Sequence, residues 1–389
     1  MKLNKNLTYS YSRKEILQVS FLFVFLFFVY TYLTFRAGSD MVIHAGFARK
    51  MLEGKMNYPG NFIWYVLVNI LSVILSVFPS WLPPLSISII SLTFLMACAT
   101  TYKFCWVYEH ILERGADWKR FMIALSLIFV FAIPIPSIFV THRWSLGNFP
   151  PNIWYNSTII LIFPFVIMLF VGSMKQIEQF SNRRNLWLLL LVFLNIFIKP
   201  SYFFVWVCVY PVFLFIKYRI TTKFLKGLIP VMVGIVLLLI EYLYIYYLGD
   251  SSDKESSIVI RPFLSYYYFA PVSMFPWALL SSLLFPILHF SLNFKRLVKD
   301  KTFQFVYTGL LVAFIIGILV VEAGPRQTHG NFFWQIYICA WLCFYISLKD
   351  LLKMKKRGSQ FVILMMVYLF HVLCGMGYLA KYMIFGQFR

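Results

Sequence analysis

From Ile16 almost to the C-terminus the chain is a succession of long apolar runs separated by short polar loops. A helix needs about 20 apolar residues to cross a bilayer. Runs of that order fall near 16–35, 83–102, 121–140, 156–173, 186–198, 201–216, 227–248, 274–290, 303–321, 334–348 and 359–380. The pattern predicts an all-α, polytopic membrane protein with about 11 transmembrane helices. It forms one domain over 1–389, with no soluble domain. Composition agrees: 61% of the residues are hydrophobic and 13% charged, where soluble domains carry about 25% charged. An ordinary soluble enzyme and a disordered chain are both excluded.

The first run is too long for a signal-peptide core and is followed by Arg36, not by a small-residue cleavage site, so it reads as a retained span. The six cysteines lie in or beside apolar segments and none forms a CxxC pair. They read as small core residues, not as a zinc or disulfide framework.

One further apolar stretch, Asn61–Phe78, is ambiguous. Its polar residues Asn61, Tyr65, Asn69, Ser72 and Ser76 fall in one narrow arc of a helix. A helix lying in the interface needs such a stripe, and so does a bundle helix lining a polar cavity. The net charge of +21 helps to choose. With the N-terminus cytoplasmic and 61–78 not spanning, the segments 1–15, 103–120, 174–185, 217–226, 291–302 and 349–358 face the cytoplasm. They hold 24 of the 35 Lys and Arg, as the positive-inside rule requires. A spanning 61–78 with an external N-terminus matches the same count. It must translocate the basic tail Lys2, Lys5, Arg13 and Lys14, and it separates Asp40 from the other polar loops. The preferred threading has a long first external loop, Arg36–Leu82, carrying interfacial helices. Most of the positive charge then marks topology and contact with anionic membrane lipids, and no nucleic-acid partner is indicated.

The polar residues that topology leaves unexplained lie mostly on the external side. Asp40 and His44, in Gly38-Ser39-Asp40-Met41-Val42-Ile43-His44, share a helical face just beyond the first span. They suit a carboxylate base with a histidine that orients or binds an anion. Asp40 also suits a plain helix N-cap. A second cluster, Glu322-Ala323-Gly324-Pro325-Arg326-Gln327-Thr328-His329-Gly330-Asn331, is a glycine- and proline-shaped turn dense in polar groups. Arg326, His329 and Asn331 there could bind phosphate or sugar, or the turn could be a solvated loop anchored by Trp334. Lys199, in Lys199-Pro200-Ser201-Tyr202, is the lone charge of its hairpin, which is costly unless it snorkels or binds an anion. Arg143 and Arg261 suit either a site or lipid headgroups. Glu241 is the clearest ionisable residue within a span; it faces a cavity or is satisfied by Tyr242, Tyr244, Tyr246 or Tyr247. No nucleotide-binding, zinc-protease or serine-hydrolase motif is present, so an external reaction needs a substrate already activated there.

The opening of the chain resembles the GT-C superfamily of integral-membrane glycosyltransferases. The matching residues are Gly38-Ser39-Asp40 with His44, then Ala48, Leu52-Glu53-Gly54, Tyr58-Pro59 and the Asn61–Phe78 segment. Together they cover the first quarter of the chain. Arg326 to Trp334 is similar to late external loops of bacterial members. The resemblance implies an enzyme of the cytoplasmic membrane with an extracytoplasmic active site. It would transfer a sugar, with inversion, from a polyprenyl-phosphate-linked donor to a glycan or lipid-linked acceptor. Asp40 would be the base, and Arg326, His329 and Lys199 would hold the departing phosphate. The chain has one Asp where some branches pair two acidic residues, and Tyr58-Pro59-Gly60 where they have His-Pro-Pro. No cofactor is indicated, and a divalent metal is compatible with the residues. The rival functions are a flippase for lipid-linked glycans, which Glu241 and the short 186–216 pair would suit, and an external polysaccharide polymerase using Arg residues of the Gly249–Ser273 loop.

Overall fold

A computed structural model describes residues 11–36, 40–77, 82–112, 117–248, 257–324, 326–327, 330–354 and 357–386. The helices in chain order are α1 (Arg13–Arg36), α2 (Asp40–Leu52), α3 (Ile63–Ser76), α4 (Pro84–His110), α5 (Asp117–Phe129), α6 (Ile135–Thr141), α7 (Ser157–Glu178), α8 (Asn182–Ile198), α9 (Ser201–Tyr218), α10 (Thr222–Gly227), α11 (Ile229–Leu243), α12 (Leu264–Tyr267), α13 (Phe275–Leu292), α14 (Phe294–Leu297), α15 (Lys301–Leu319), α16 (Trp334–Leu352) and α17 (Ser359–Phe385). Two short strands, β1 (Ser257–Ile260) and β2 (Val320–Ala323), form an antiparallel ribbon. The protein is thus an all-α polytopic membrane protein. Nine helical segments among the described residues are long and apolar enough to cross a bilayer. Large apolar side chains such as Phe21, Phe28, Val236 and Leu239 stand on the outside, where lipid tails replace water as their solvent.

Of the eleven expected spans, two take a different form. The 121–140 run is broken into α5 and α6 by an unwound stretch at 130–134. Pro134 lacks an N–H and pushes Ile133 before it out of the helical region, while Pro136 sits in the first turn of α6, where a missing N–H costs little. The 186–198 run becomes the 17-residue α8, slightly short of a full crossing.

Unwound backbone inside an apolar bundle must find internal partners. Here Asn152 Nδ2 donates to the carbonyls of Leu127 and Val130 at 2.9 and 2.8 Å. His371 Nδ1 donates to the Phe131 carbonyl at 2.6 Å, while its Nε2 accepts from the Phe285 amide at 3.4 Å. One imidazole therefore serves two helix irregularities, because α13 itself leaves helical geometry at Leu283. Gly375 makes the approach possible: a Cβ there would lie 1.5 Å from the Phe129 carbonyl oxygen.

The ends of the helices sort into two groups. Tyr11 donates to Glu109 at 2.6 Å and Tyr108 to Glu15, so the start of α1 meets the end of α4. These helices run antiparallel, and α2 and α3 lie between them in sequence. Hence α3 does not add a pass: it enters and leaves at the Asp40 end. Its 14 residues span about 21 Å, less than a hydrocarbon core. Its polar arc faces inward, with Tyr65, Asn69 and Ser72 buried and Ile70, Val73 and Ile74 exposed. That is the arrangement of a helix lining a polar interior, not of one presenting its stripe to water. At the same end Arg36 donates to the Ile384 carbonyl, which brings the last turn of α17 beside the last turn of α1.

Lys103, counted above with the basic loop 103–120, is buried in the body of α4. Its Nζ donates to Asn152 Oδ1 at 2.6 Å and lies 3.7 Å and 4.3 Å from the ring centres of Phe163 and Trp341. It is bound by the bundle and marks no membrane face.

Replacing Gly375 by Ala should lower the thermal transition sharply, because the new methyl meets backbone. The same change at Gly377, where a Cβ has only Trp144 at 3.4 Å, should be mild. Equal transitions for the two variants would contradict the close approach of α17 to the broken pass.

Candidate functional site

Four of the charged residues singled out in the sequence, Asp40, Lys199, Glu322 and Arg326, converge at the Asp40 end of the bundle. Asp40 opens α2, and His44 follows one turn later. The adjoining face of α2, with Met41, Ala45 and Ala48, is fully buried and fixes the rotation of the helix. His44 Nδ1 is hydrogen-bonded to the hydroxyl of Tyr65 on α3 at 2.6 Å.

Lys199 sits at the break between α8 and α9. Pro200 disfavours helical geometry at the preceding residue, and Lys199 is accordingly extended, with φ −168° and ψ 114°. Its Nζ lies 5.4 Å from the ring centre of Trp334, the first residue of α16.

Glu322 is on β2, where the residue pairs with Ile258 of β1. Its carboxylate is only 5% exposed and is densely bonded. Tyr246 Oη donates to Oε1 at 2.6 Å, and Asn331 Nδ2 donates to Oε2. Arg326 Nε is 3.3 Å from Oε1. Gly324 and Gly330 take positive φ values of 85° and 63°, a region glycine enters at little cost, and so return the chain from β2 to α16. Glu322 thus organises the turn.

Charge binds these pieces into one site. Lys199 is pushed down to about 8, chiefly by burial and next by Arg326, against the attraction of Glu322, Asp40 and Glu241. It stays mostly protonated at neutral pH. His44 is lowered to about 4, by burial first and by Lys199 second. It is therefore neutral at pH 7 and serves as a hydrogen-bonding group beside Asp40, not as a cation for an anionic ligand.

Glu241 belongs to this site, although the sequence places it within a span. It acts electrostatically with Lys199 and Arg326. The tyrosines expected to satisfy it are engaged elsewhere: Tyr246 with Glu322, and Tyr244 with the Tyr58 carbonyl at 2.7 Å. The constellation of Asp40, Glu241, Glu322, Lys199 and Arg326 is then three acidic side chains and two basic ones.

Other candidates stand apart. Arg143 and Arg261 are exposed and are not among the groups that act on Lys199. Glu53 pairs on the surface with Arg49 at 2.6 Å and Lys55 at 2.7 Å. His329 lies outside the described residues. Among the described residues no three His, Cys, Asp or Glu side chains gather as a metal site. Tyr65, Tyr246 and Trp334 carry no charge pattern that would single them out in the sequence.

Comparison with known proteins found no matching family model and no matching curated protein.

A histidine held below its unfolded value near 6.5 contributes stability in full above that pH, and the contribution is lost as pH falls through about 4. The thermal transition of the native protein should therefore drop more steeply between pH 6.5 and 4 than that of His44→Gln. Identical pH dependence would contradict a neutral His44 in this site.

Proposed function

We propose that the protein is a membrane glycosyltransferase of the GT-C type. Its N-terminus lies in the cytoplasm, and the Asp40 end faces the extracytoplasmic side of the cytoplasmic membrane. It moves a sugar from a polyprenyl-phosphate-linked donor to a hydroxyl of a glycan or lipid-linked acceptor. The observation that carries this reading is that Lys199 lies within the electrostatic reach of both Asp40 and Arg326, groups from three distant parts of the sequence.

The division of labour follows from chemistry. Asp40, at the exposed start of α2, takes the proton of the acceptor hydroxyl as its oxygen attacks the anomeric carbon. The bond from that carbon to the phosphate oxygen breaks, and its electron pair leaves with the lipid phosphate. Lys199 and Arg326 stabilise the growing negative charge on that oxygen. Neutral His44, tied to Tyr65, orients the α2 side of the site. Attack opposite the departing phosphate inverts the anomeric centre.

A flippase for lipid-linked glycans is the second reading, favoured by the broken pass at 130–134, since discontinuous helices often line transport paths. The two differ in product: a flippase leaves every covalent bond intact.

Asp40→Asn should retain the thermal transition and membrane yield of the native protein. Its sugar transfer to membrane acceptors, read by the mass of the glycan product, should fall by on the order of 10²–10⁴-fold. Full transfer by this variant removes Asp40 as base. Movement of intact lipid-linked glycan across proteoliposomes, with no change in mass, favours the flippase.

A further inference from the structure

Glu241 takes no part in the transfer step and, unlike Glu322, is not satisfied by bonded neighbours. It lies on α11 and is 4% exposed, in a helix whose neighbouring residues Leu239, Ile240 and Leu243 face outward as apolar surface. A carboxylate in such a segment is costly and is kept where it has a partner. Yet its Oε2 is buried and has no hydrogen-bond partner among the described residues. The nearby hydroxyls do not supply one, since Tyr244 and Tyr246 donate elsewhere. The oxygen is an acceptor left open beside the two cations assigned to the phosphate.

The surroundings hold the carboxyl group in place. The Tyr58-Pro59-Gly60 turn crosses over the side chain, held down by the Tyr244 hydroxyl on the Tyr58 carbonyl. A Cβ at position 60 would lie 2.8 Å from Glu241 Cγ and 3.0 Å from Ile245 Cγ1. Only a glycine lets the turn pass this closely without displacing the carboxylate.

A phosphate brings further acceptors to the site and cannot satisfy an acceptor oxygen. A sugar brings hydroxyl donors. In a donor lipid the sugar is joined directly to the phosphate, so its ring must lie within a few ångströms of Lys199 and Arg326, where Glu241 also acts. We propose that Glu241 accepts a hydrogen bond from a ring hydroxyl of the bound donor sugar, and that it thereby selects glycosylated over bare polyprenyl phosphate. This rests on the glycosyltransferase reading. Glu241 is a specificity residue: its role is to hold the sugar, while Asp40 handles the proton.

The test uses the purified full chain in nanodiscs and native mass spectrometry with two kinds of probe. One is bare polyprenyl phosphate; the other is a set of polyprenyl-phosphate glucose, mannose and arabinose. The native protein should bind at least one glycosylated lipid more tightly than the bare lipid, by about tenfold, as expected for a hydrogen bond made to a buried and otherwise unsatisfied acceptor. Glu241→Leu should erase that preference without weakening affinity for the bare lipid. Glu241→Gln, which keeps an acceptor oxygen, should restore part of it. Gly60→Ala should weaken the preference without altering any charge, and this second route does not depend on the leucine variant folding. Retained preference in Glu241→Leu, or in Gly60→Ala if the leucine variant does not fold, overturns the assignment of Glu241 and leaves the lipid-phosphate site standing. Equal binding of bare and glycosylated lipids by the native protein also overturns it. Failure of the native protein to bind any of these lipids overturns the glycosyltransferase reading and the role of Glu241 together.

Discussion

The constraint on which the structure depends is that a helix can stop or break in apolar surroundings only where its freed backbone groups are met. In this chain such irregularities are used in two ways. The unwound 130–134 stretch and the irregularity of α13 at Leu283 are closed by Asn152 and His371 and stay internal. Four others open at the Asp40 end, and each presents an ionisable group. Lys199 lies at the Pro200 break, Asp40 at the start of α2, and Glu322 on the strand that follows α15. Glu241 lies just before the π-helical turn Tyr244–Leu248. Charge therefore collects where helices end, because those are the places where a side chain can leave the lipid-facing surface and meet partners from other segments.

The site is not simply basic. Glu322 is already satisfied by Tyr246, Asn331 and Arg326, so it shapes the turn and tempers Arg326. Lys199 stands among three carboxylates and an arginine. On the proposed reading, a cation in such a field would bind a phosphate less tightly than one in a uniformly positive cleft and would release a departing lipid phosphate more readily. Neutral His44 sharpens the same point. The sequence suggested a histidine to help hold an anion, and the burial around it removes that charge at neutral pH.

Much of the fold is legible in the chain. Long apolar runs mark the passes, and the basic loops together with the basic N-terminal tail favour a threading in which Asn61–Phe78 does not cross. The antiparallel contact between α1 and α4 agrees with that non-crossing segment. The orientation of its polar stripe is not legible, because the same arc of Tyr65, Asn69 and Ser72 serves a helix on water and a helix on a polar interior. The break at Pro134 could have been read from its two prolines, but the apolar run conceals it. Lys103 misleads for a similar reason: a lysine near a span end looks like a loop residue until Asn152, Phe163 and Trp341 are seen around it. In the site, Asp40, Lys199, Glu322 and Arg326 stand out as charges in an apolar chain. Glu241 stands out too, but its membership of the site depends on how α11 packs, which local sequence does not state.

The most direct test of the account is a structure of the full chain in a lipid bilayer with polyprenyl-phosphate mannose or another lipid of that class bound. Phosphate density between Lys199 and Arg326, with the sugar reaching toward Asp40, is the result the account predicts. Phosphate density at the opposite end of the bundle, or a lipid path along the broken pass at 130–134 with the Asp40 end empty, would contradict it.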